Sequence, residues 1–154
     1  MIGDIMEIID LLQHKDMQKY FLKLKDCDWV AGRYLYNLIV DNKFEALCGK
    51  DSKVYMIVNC DDIVSFCTYV YQDEIRDETL YPWIGFVYTN PNYRGNRYFG
   101  KLLNYIIIKA KGTGYKKIYV STNEVGLYEK YGFVYFKNML DFTGNDSRIY
   151  YIEI

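Results

Sequence analysis

The chain has 154 residues, enough for one domain with a core of its own, and its 51% hydrophobic and 25% charged residues argue against disorder. The net charge of −1, with dispersed lysines and arginines, provides no field for nucleic acid, so no nucleic-acid partner is expected. No apolar run approaches the roughly 18 residues of a membrane span, so no membrane partner is expected either.

The cysteines and the single histidine do not form a metal-binding pattern. There is no CxxC pair and His14 is the only histidine, so no metal is expected. Because no signal peptide is recognised, the chain is expected to be cytoplasmic, with four reduced thiols: Cys27, Cys48, Cys60 and Cys67. A nucleophilic Cys–His pair is a minor alternative.

The first 42 residues are predicted to be mostly helical. Apolar residues from Ile5 to Leu24 recur at helical spacing, which predicts an amphipathic helix over residues 4 to 25, broken near "HKD". The segment "DCDWVAGRYLYNLIVDN" predicts a second helix with Asp28 as its N-cap. Its apolar face would consist of Val30, Tyr34, Leu35, Leu38 and Ile39.

After residue 42 the pattern becomes typical of strands. "FEALCG" and "KVYMIVN" flank "KDS" as in a hairpin, and "CDD" turns into "IVSFCTYVYQ". Three antiparallel strands are therefore predicted between residues 44 and 72. The next apolar run, "YPWIGFVYTN", has no polar face, which predicts a fourth strand in the centre of a sheet.

A helix and three further strands are predicted in the rest of the chain. The helix ends at "KGTG" and is followed by "KKIYVST", and this strand–helix–strand order predicts a parallel pair. "EVGLYEKYG" predicts a short helix ended by Gly132, before the strands "FVYFKN" and "SRIYYIEI". The predicted fold class is α/β of the mixed α+β kind, with about seven mostly antiparallel strands flanked by helices.

The segment "NPNYRGNRYFGKLL", residues 90 to 103, joins the central strand to the long helix. The first N–H groups of a helix lack internal partners and lie at the positive end of its dipole, so an anion is stabilised there. Arg94 and Arg97 add charged donors, and Gly95 lets the backbone approach a ligand. The segment predicts a phosphate site; the alternative is an exposed loop with two solvated arginines.

Together, "VYTNPNYRGNRYFGKLL" and "LYEKYGF" resemble the GNAT superfamily of acyl-CoA-dependent N-acetyltransferases. The resemblance is specific from about residue 83 to residue 136, and the strand order agrees over residues 44 to 154. It implies one domain over residues 1 to 154, with a helical part up to residue 42 and a sheet splayed between strands 4 and 5. It also implies that acetyl-CoA is the co-substrate and that an amine of a small molecule or peptide attacks it directly.

The same resemblance implies the site residues. The coenzyme A pyrophosphate would be held by Arg94 and by the N–H groups of Gly95, Asn96, Arg97, Tyr98, Phe99 and Gly100. The pantetheine arm would pair like an added strand with Val87, Tyr88 and Thr89. Tyr128 would protonate the leaving thiolate, because a phenol with a pKa of about 10 keeps its proton at neutral pH. The alternative for Tyr128 is a packed aromatic residue on a short helix.

The sequence departs from the family pattern in the loop and after the fifth strand. Arg97 and Phe99 stand at the two usual glycine positions, and Gly100 comes one place late. A helix start has φ near −60°, so non-glycine residues are allowed there and glycine would mainly provide room. Ser121 stands where many members have asparagine, and Asn123 is a candidate substitute that contacts the cofactor. These departures keep a non-catalytic acyl-CoA-binding module, or a protein-interaction domain, as alternatives.

The acceptor side is less defined by the sequence. "WIGFVY" has no carboxylate, and the loop acids Asp73, Glu74, Asp77 and Glu78 are either solvated or attract a cationic amine, so no base is assigned. The aromatic residues that would line the acceptor cleft, or pack in the core, are Trp29, Tyr34, Tyr69, Tyr71, Tyr81 and Trp83. The apolar "RIYYIEI" could pair with another chain at a sheet edge, which keeps a homodimer as an alternative.

Overall fold

The computed structural model describes residues 6 to 154, which form one seven-stranded mixed sheet. The strands are β1 (Met6–Asp10), β2 (Lys53–Asn59), β3 (Asp62–Val70), β4 (Trp83–Thr89), β5 (Lys117–Thr122), β6 (Val134–Leu140) and β7 (Asp146–Glu153). Their spatial order is β1-β2-β3-β4-β5-β7-β6, and every neighbouring pair is antiparallel except β4 and β5. The predicted mixed sheet is thus confirmed.

Helices cover both faces of the sheet. They are α1 (Met17–Lys25), α2 (Val30–Val40), α3 (Phe44–Cys48) and α4 (Tyr98–Gly112). Leu24 of α1 and Leu35 of α2 belong to one apolar core with sheet residues such as Phe66. Leu102 and Ile106 of α4 belong to a second core on the opposite face. The sheet therefore separates an α1–α2 side from an α4 side.

The predicted first helix is wrong at its start, because Met6–Asp10 is β1. The strand pairs antiparallel with β2, from Met6 opposite Asn59 to Asp10 opposite Tyr55. Ile9 packs in the α1–α2 core, whereas Ile8 packs against the α4 core. Two adjacent isoleucines on opposite faces suit a strand, and pairing with β2 outweighs the helical spacing. Residues 4 and 5 of that predicted helix lie outside the described residues.

The predicted strand at "FEALCG" is also wrong, because Phe44–Cys48 is α3. Phe44 and Cys48 lie four residues apart and are both buried, as on one face of a helix. Gly49 ends the helix with φ +104°, and its N–H donates to Glu45 O at 2.8 Å. Residues 44 to 72 therefore supply two strands, and the third antiparallel strand of this part of the sheet is β1.

The predicted N-cap of α2 and its apolar face also need correction. Trp29 is the N-cap, while the Asp28 carboxylate accepts a hydrogen bond from the Tyr88 hydroxyl. Leu35 and Leu38 are buried as predicted, but Val30 is 69% exposed. Because Asp28 is engaged with β4, it does not satisfy the first N–H groups of the helix.

The predicted edge strand "RIYYIEI" is β7, which lies between β5 and β6 and has no free edge. The outer strand is β6, so β6 is the edge open to a second copy on this side of the sheet. Tyr135 and Phe136 of β6 are 47% and 42% exposed. The β6–β7 hairpin folds back after β5, which places the last strand inside the sheet.

The splay between β4 and β5 is the feature that creates the site. β4 is central, as predicted, and pairs with parallel β5 only through Trp83 opposite Tyr119 and Ile84 opposite Val120. Beyond Ile84 the two strands have no further paired residues, although β4 continues to Thr89 and β5 to Thr122. The sheet consequently opens at the carboxyl ends of its two parallel strands, where ligands bind in open α/β sheets.

Candidate active site

A cavity of about 550 Å³ occupies the opening between β4 and β5. Trp29 and Tyr34 line it from the α1–α2 side, and Tyr128 lines it from the α4 side. The cavity therefore extends through the splay from one face of the sheet to the other. Two reactants can approach each other there from opposite faces.

Strand β4 contains a bulge at the edge of this cavity. Phe66 pairs with Tyr88 and Thr68 with Gly85, so Phe86 and Val87 together oppose a single residue of β3. Phe86 has φ +48°, which is unusual for a residue with a side chain. A bulge removes backbone groups from the regular ladder and redirects side chains. It thereby leaves this stretch of β4 available to a ligand, and Val87 lines the cavity.

Tyr128 is held rigidly on the opposite wall. It begins a 3-10 turn over Tyr128–Tyr131, and its ring packs edge-on against Phe99 at 5.6 Å and Phe133 at 5.7 Å between centroids. Burial raises the pKa of Tyr128 well above its usual value, and the negative charge of Asp73 is among the groups that act in the same direction. The cavity wall thus carries a neutral phenol.

Phe99 does not crowd the loop, although it stands at a family glycine position. Its side chain is 6% exposed and packs inside the α4 core. Besides Tyr128, its ring contacts Tyr131 at 5.2 Å. Gly100, one place later, allows close packing as well, because a Cβ there would lie 3.1 Å from Tyr131 Cε1. Phe99 and Gly100 therefore position the turn that carries Tyr128.

Arg97 differs from the expected helix-start conformation. It is the N-cap of α4 and has φ +55° and ψ +39°, in the left-handed region, where the prediction was φ near −60°. Glycine at this position would relieve the backbone as well as provide room. The guanidinium carbon of Arg97 lies 5.9 Å from the centre of the Tyr131 ring. The arginine thus contacts the 3-10 turn.

We expect Arg97→Gly to raise the free energy of unfolding by about 0.5–1 kcal/mol relative to Arg97→Ala, because glycine tolerates positive φ and alanine does not. Both variants lose the contact with Tyr131, so their difference isolates the backbone term. Urea unfolding measures it. Equal midpoints for the two variants would contradict the left-handed conformation.

The predicted phosphate loop presents free backbone donors. Within residues 6 to 154, the N–H groups of residues 95 to 99 find no hydrogen-bond acceptor. The Gly100 N–H instead donates to Arg97 O at 3.0 Å, so this predicted donor is engaged. Gly95 has φ +86°, and no other atom lies within 4 Å of where its Cβ would be. The loop therefore has unpaired backbone donors and open space beside Gly95.

The side chains around the loop keep it in shape. Arg94 Nε donates to Thr89 O at 3.0 Å, and Asn96 Nδ2 donates to Tyr93 O at 3.1 Å. Arg94, Asn96 and Arg97 are exposed, and Tyr98 is half-buried. Arg94 thus connects the end of β4 to the loop and still presents its remaining N–H donors to solvent.

Tyr88 and Thr89 carry the same stretch of β4 to the loop. The Tyr88 ring stacks on Trp29 at 5.8 Å and an interplanar angle of 8°. Ser65 Oγ donates to Tyr88 O at 2.7 Å and lies 3.1 Å from Thr89 Oγ1. Because β5 does not pair with these residues, the β5-facing edge of β4 here has no strand partner.

Asp73 is one of the four loop acids that the sequence offered as candidates to attract a cationic amine, without assigning a base. It comes from the loop between β3 and β4 and lines the cavity. Its carboxylate occupies the space beside Gly85, where a Cβ would lie only 2.5 Å from Asp73 Oδ1. Glycine in the otherwise bulky "WIGFVY" is the signal that could have distinguished Asp73 from the other three loop acids. Gly85 leaves room on the strand for a carboxylate that the loop supplies.

The surroundings of Asp73 favour its protonated form. Burial raises the pKa of Asp73 to about 7, and the negative charge of Glu74 acts in the same direction. Arg76 opposes this shift. A carboxyl group that titrates near neutrality can accept a proton during turnover and release it afterwards. By contrast, hydrogen bonds from Thr79 lower the pKa of Asp77, an acid of the same loop.

Glu74 is part of a separate hydrogen-bond network. Ser121 Oγ donates to Glu74 Oε1 at 2.6 Å and lies 2.6 Å from Ser147 Oγ. Ser121, at the family asparagine position, lines the cavity. Asn123 is exposed in the segment after β5 and is not among the cavity-lining residues. The network fixes the carboxyl end of β5 to the β3–β4 loop.

Only two of the predicted aromatic cleft residues line the cavity, namely Trp29 and Tyr34. Trp83, the predicted cleft wall, is fully buried in the core, and its indole donates to Leu80 O at 2.7 Å. The others lie away from the cavity, where Tyr71 and Tyr81 stack on each other at 4.6 Å and Tyr69 packs against the α4 core. The structure adds Phe86 and Phe142 to the cavity wall.

A mixed sheet that opens between its parallel pair, with a bulged β4, an anion loop and a tyrosine at the opening, has the fold of the GNAT acyltransferases. A model of the acetyltransferase (GNAT) family matches residues 11–133. The chain therefore belongs to this family and is an acyltransferase, as the resemblance predicted.

Solved structures share this fold at low sequence identity. An acetyltransferase from Streptococcus agalactiae has a TM-score of 0.66 and 20% identity over 97% of this chain and 98% of its own. An aminoglycoside 6'-N-acetyltransferase complexed with coenzyme A has a TM-score of 0.66 and 14% identity over 96% of each chain. A spermidine/spermine N-acetyltransferase from Vibrio cholerae has a TM-score of 0.61 and 14% identity over 96% of this chain and 92% of its own.

A search of curated proteins finds no match. In residues 6 to 154, no helix has the length and apolarity that crossing a bilayer requires. The same residues contain no group of three or more His, Cys, Asp or Glu side chains arranged to hold a metal ion.

Proposed function

We propose that this protein transfers an acetyl group from acetyl-CoA to a primary amine of a small molecule or peptide, by direct attack of the amine on the thioester. The observation that carries the proposal is the cavity in the splay, because Tyr128 and Asp73 both line it. The aminoglycoside enzyme of the same fold is complexed with coenzyme A, which supports this choice of co-substrate.

Acetyl-CoA fits the α4 side of the opening. The unpartnered N–H groups of residues 95 to 99 would hold the pyrophosphate at the positive end of α4, with Arg94 beside them. The free edge of β4 at Val87, Tyr88 and Thr89 would receive the pantetheine arm as an added strand. Asn123 stays a predicted cofactor contact at the exposed end of β5.

Each chemical step then has a group to perform it. A backbone N–H in the bulged part of β4 would donate to the thioester oxygen as negative charge develops there. The amine nitrogen forms its bond to the carbonyl carbon, the carbon–sulfur bond breaks, and the thiolate takes the Tyr128 proton. Asp73 accepts the proton that the ammonium group must lose before it attacks. The second proton, which the nitrogen loses as the amide forms, returns to the Tyr128 phenolate, and Asp73 releases its proton to solvent.

The departures at Arg97 and Phe99 are compatible with this activity. Phe99 is buried beneath Tyr128, and the Arg97 side chain is exposed beside Tyr131. Neither side chain occupies the space next to Gly95. The non-catalytic alternative was based on the altered glycine pattern and on the absence of a carboxylate in the fourth strand. Asp73 beside Gly85 supplies a carboxylate at that strand, so the geometry at both places favours a working enzyme. A cytoplasmic location stays a prediction.

We expect acetyl-CoA to raise the melting temperature of the protein, because a ligand that binds only the folded state adds about 2.7 kcal/mol at one hundred times its Kd. Arg94→Glu should abolish the shift, since it places a negative charge beside the pyrophosphate. Lys25→Glu, which makes the same charge change at the end of α1, is the matched control and should keep it.

Release of free coenzyme A thiol with a panel of amines tests turnover directly. A thermal shift without turnover would support the acyl-CoA-binding module instead of the enzyme. Absence of a shift at millimolar acetyl-CoA would contradict the proposed co-substrate.

A further inference from the structure

We propose that the acceptor is a primary monoamine carried by an aromatic or similarly flat apolar body, an arylalkylamine, rather than a polyamine or an aminoglycoside. This inference rests on the acetyl transfer proposed above. It concerns the part of the same cavity on the α1–α2 side of the sheet, called the acceptor half. Three observations carry it: the aromatic residues around the α1–α2 side, the position of Asp73 as the carboxylate left for the reacting amine, and the limited volume.

The walls of the acceptor half are formed largely by rings. Tyr34 and Phe86 lie nearly parallel, with centroids 6.2 Å apart and an interplanar angle of 24°. Trp29 meets Phe86 edge-on at 6.4 Å and 71°. Leu38 and Leu47 complete the apolar wall. A flat apolar group can pack against such rings in stacked or edge-on geometry, which stabilises it beyond simple burial.

Part of this wall is apolar surface that stays exposed without a ligand. Phe142 is 64% exposed, and Tyr34 is 46% exposed, yet both line the cavity. The Phe142 N–H donates to Glu74 O at 2.9 Å, so the loop that carries this ring is anchored beside the cavity. Covering these rings with an apolar acceptor would remove their exposed area from water.

The carboxylates of the cavity differ in how free they are to receive an ammonium group. Glu74 accepts from Ser121, and Asp141 accepts from the Thr143 N–H at 2.9 Å and the Asn145 N–H at 3.0 Å. Glu124 is exposed, and the cation Arg76 also lines the cavity. Among the carboxylates that line the cavity and are not exposed, Asp73 is the one that accepts no side-chain hydrogen bond from a described residue, since Ser121 donates to Glu74 and the Thr143 hydroxyl to Asp141. We therefore assign the reacting ammonium group to Asp73.

The volume of the cavity limits the size of the acceptor. The whole cavity of about 550 Å³ must contain the acetyl-thioester end of the co-substrate as well as the acceptor. The space left suits a body of about one ring with a short chain. The short alkyl chain of the acceptor would place its nitrogen at Asp73 and its ring among Tyr34, Phe86 and Phe142.

The test measures release of coenzyme A thiol with each acceptor in a separate reaction. The acceptors compared are 2-phenylethylamine, n-butylamine, 1,4-diaminobutane, spermidine and kanamycin. 2-Phenylethylamine should have a kcat/KM at least tenfold above that of n-butylamine, because its ring removes more apolar surface from water. A second ammonium group, as in 1,4-diaminobutane, should lower kcat/KM below that of n-butylamine, since it would lie among the aromatic rings, where a charge is poorly solvated.

Two matched variants test whether the aromatic wall causes the preference for an aromatic amine. Phe142→Ala should lower kcat/KM for 2-phenylethylamine about tenfold, by raising KM. The kcat/KM for n-butylamine should change little. Phe136→Ala removes a comparably exposed ring on β6 and should leave the acetylation of both amines unchanged. Equal losses for both amines in Phe142→Ala would overturn the assigned wall.

The outcomes separate this inference from the proposed function. If spermidine, diaminobutane or kanamycin is acetylated more efficiently than 2-phenylethylamine, the acceptor class is wrong and acetyl transfer stands. If no amine is acetylated although acetyl-CoA raises the melting temperature, both proposals fail and the acyl-CoA-binding module is supported.

Discussion

Asp73→Asn is expected to lower kcat by about 10²–10⁴-fold, the usual contribution of a positioned general base. Asparagine has the same shape, so the side chain can stay beside Gly85 and the fold should persist. The amide accepts no proton from the ammonium group, and the amine therefore stays unreactive. Thiol release at saturating acetyl-CoA and acceptor measures the loss.

The pH profile distinguishes this role from a structural one. Because the pKa of Asp73 is raised to about 7, activity should rise with pH up to about 7 and then level off. Glu74 strengthens this shift and Arg76 opposes it, while Cys48 and Tyr128 are the other titratable groups that interact with Asp73. Burial raises the pKa of both Cys48 and Tyr128, so neither loses a proton near pH 7. The Asp73→Asn variant should lack this rise of activity with pH, which is the acidic limb of the pH profile.

The same substitution should change stability in a pH-dependent way. The folded state retains the Asp73 proton between its ordinary pKa of 3.8 and about 7, whereas the unfolded state loses it. Stability from this group therefore falls as pH rises through that window and stays constant above it. The melting temperature of Asp73→Asn relative to wild type should consequently increase from pH 4 to pH 7.

Asp77→Asn is the matched control for these measurements. Asp77 belongs to the same loop, but hydrogen bonds from Thr79 lower its pKa. This variant should keep the turnover rate and the pH limb of the wild type. Retention of the limb by Asp73→Asn, or its loss in Asp77→Asn, would show that Asp73 is not the base.

Tyr128→Phe is expected to lower kcat by about 10²-fold or more, because the leaving thiolate loses its proton donor. The ring contacts with Phe99 and Phe133 remain, so the KM for acetyl-CoA should change little. Burial raises the pKa of Tyr128 above its ordinary value, and the phenol should therefore stay protonated throughout the pH range of the assay. Thiol release with a good acceptor measures the effect.

Tyr131→Phe provides the comparison, since this tyrosine lies on the same turn and its ring also packs on Phe99. It should turn over at the wild-type rate. If Tyr128→Phe did so too, Tyr128 would be a packing residue, which is the alternative that the sequence left open.

Local patterns of residues were enough to predict part of the fold and part of the candidate site. The alternation and apolar runs of β2 to β7, the helical face of α4 and the strand–helix–strand order predict the mixed sheet with one parallel pair. The "YRGNRYFG" and "LYEKYGF" motifs point to the loop and to Tyr128 because neighbouring residues alone specify a helix start and a short turn.

Features that depend on residues distant in the chain became apparent only from the folded structure. Met6–Asp10 is a strand because β2 pairs with it, and this pairing outweighs its helical spacing. Arg97 is left-handed where local rules expected an ordinary helix start. Asp73 looks like any loop acid until the fold places it beside Gly85, where burial shifts its pKa. Burial and strand pairing are long-range effects, and no short pattern of residues contains them.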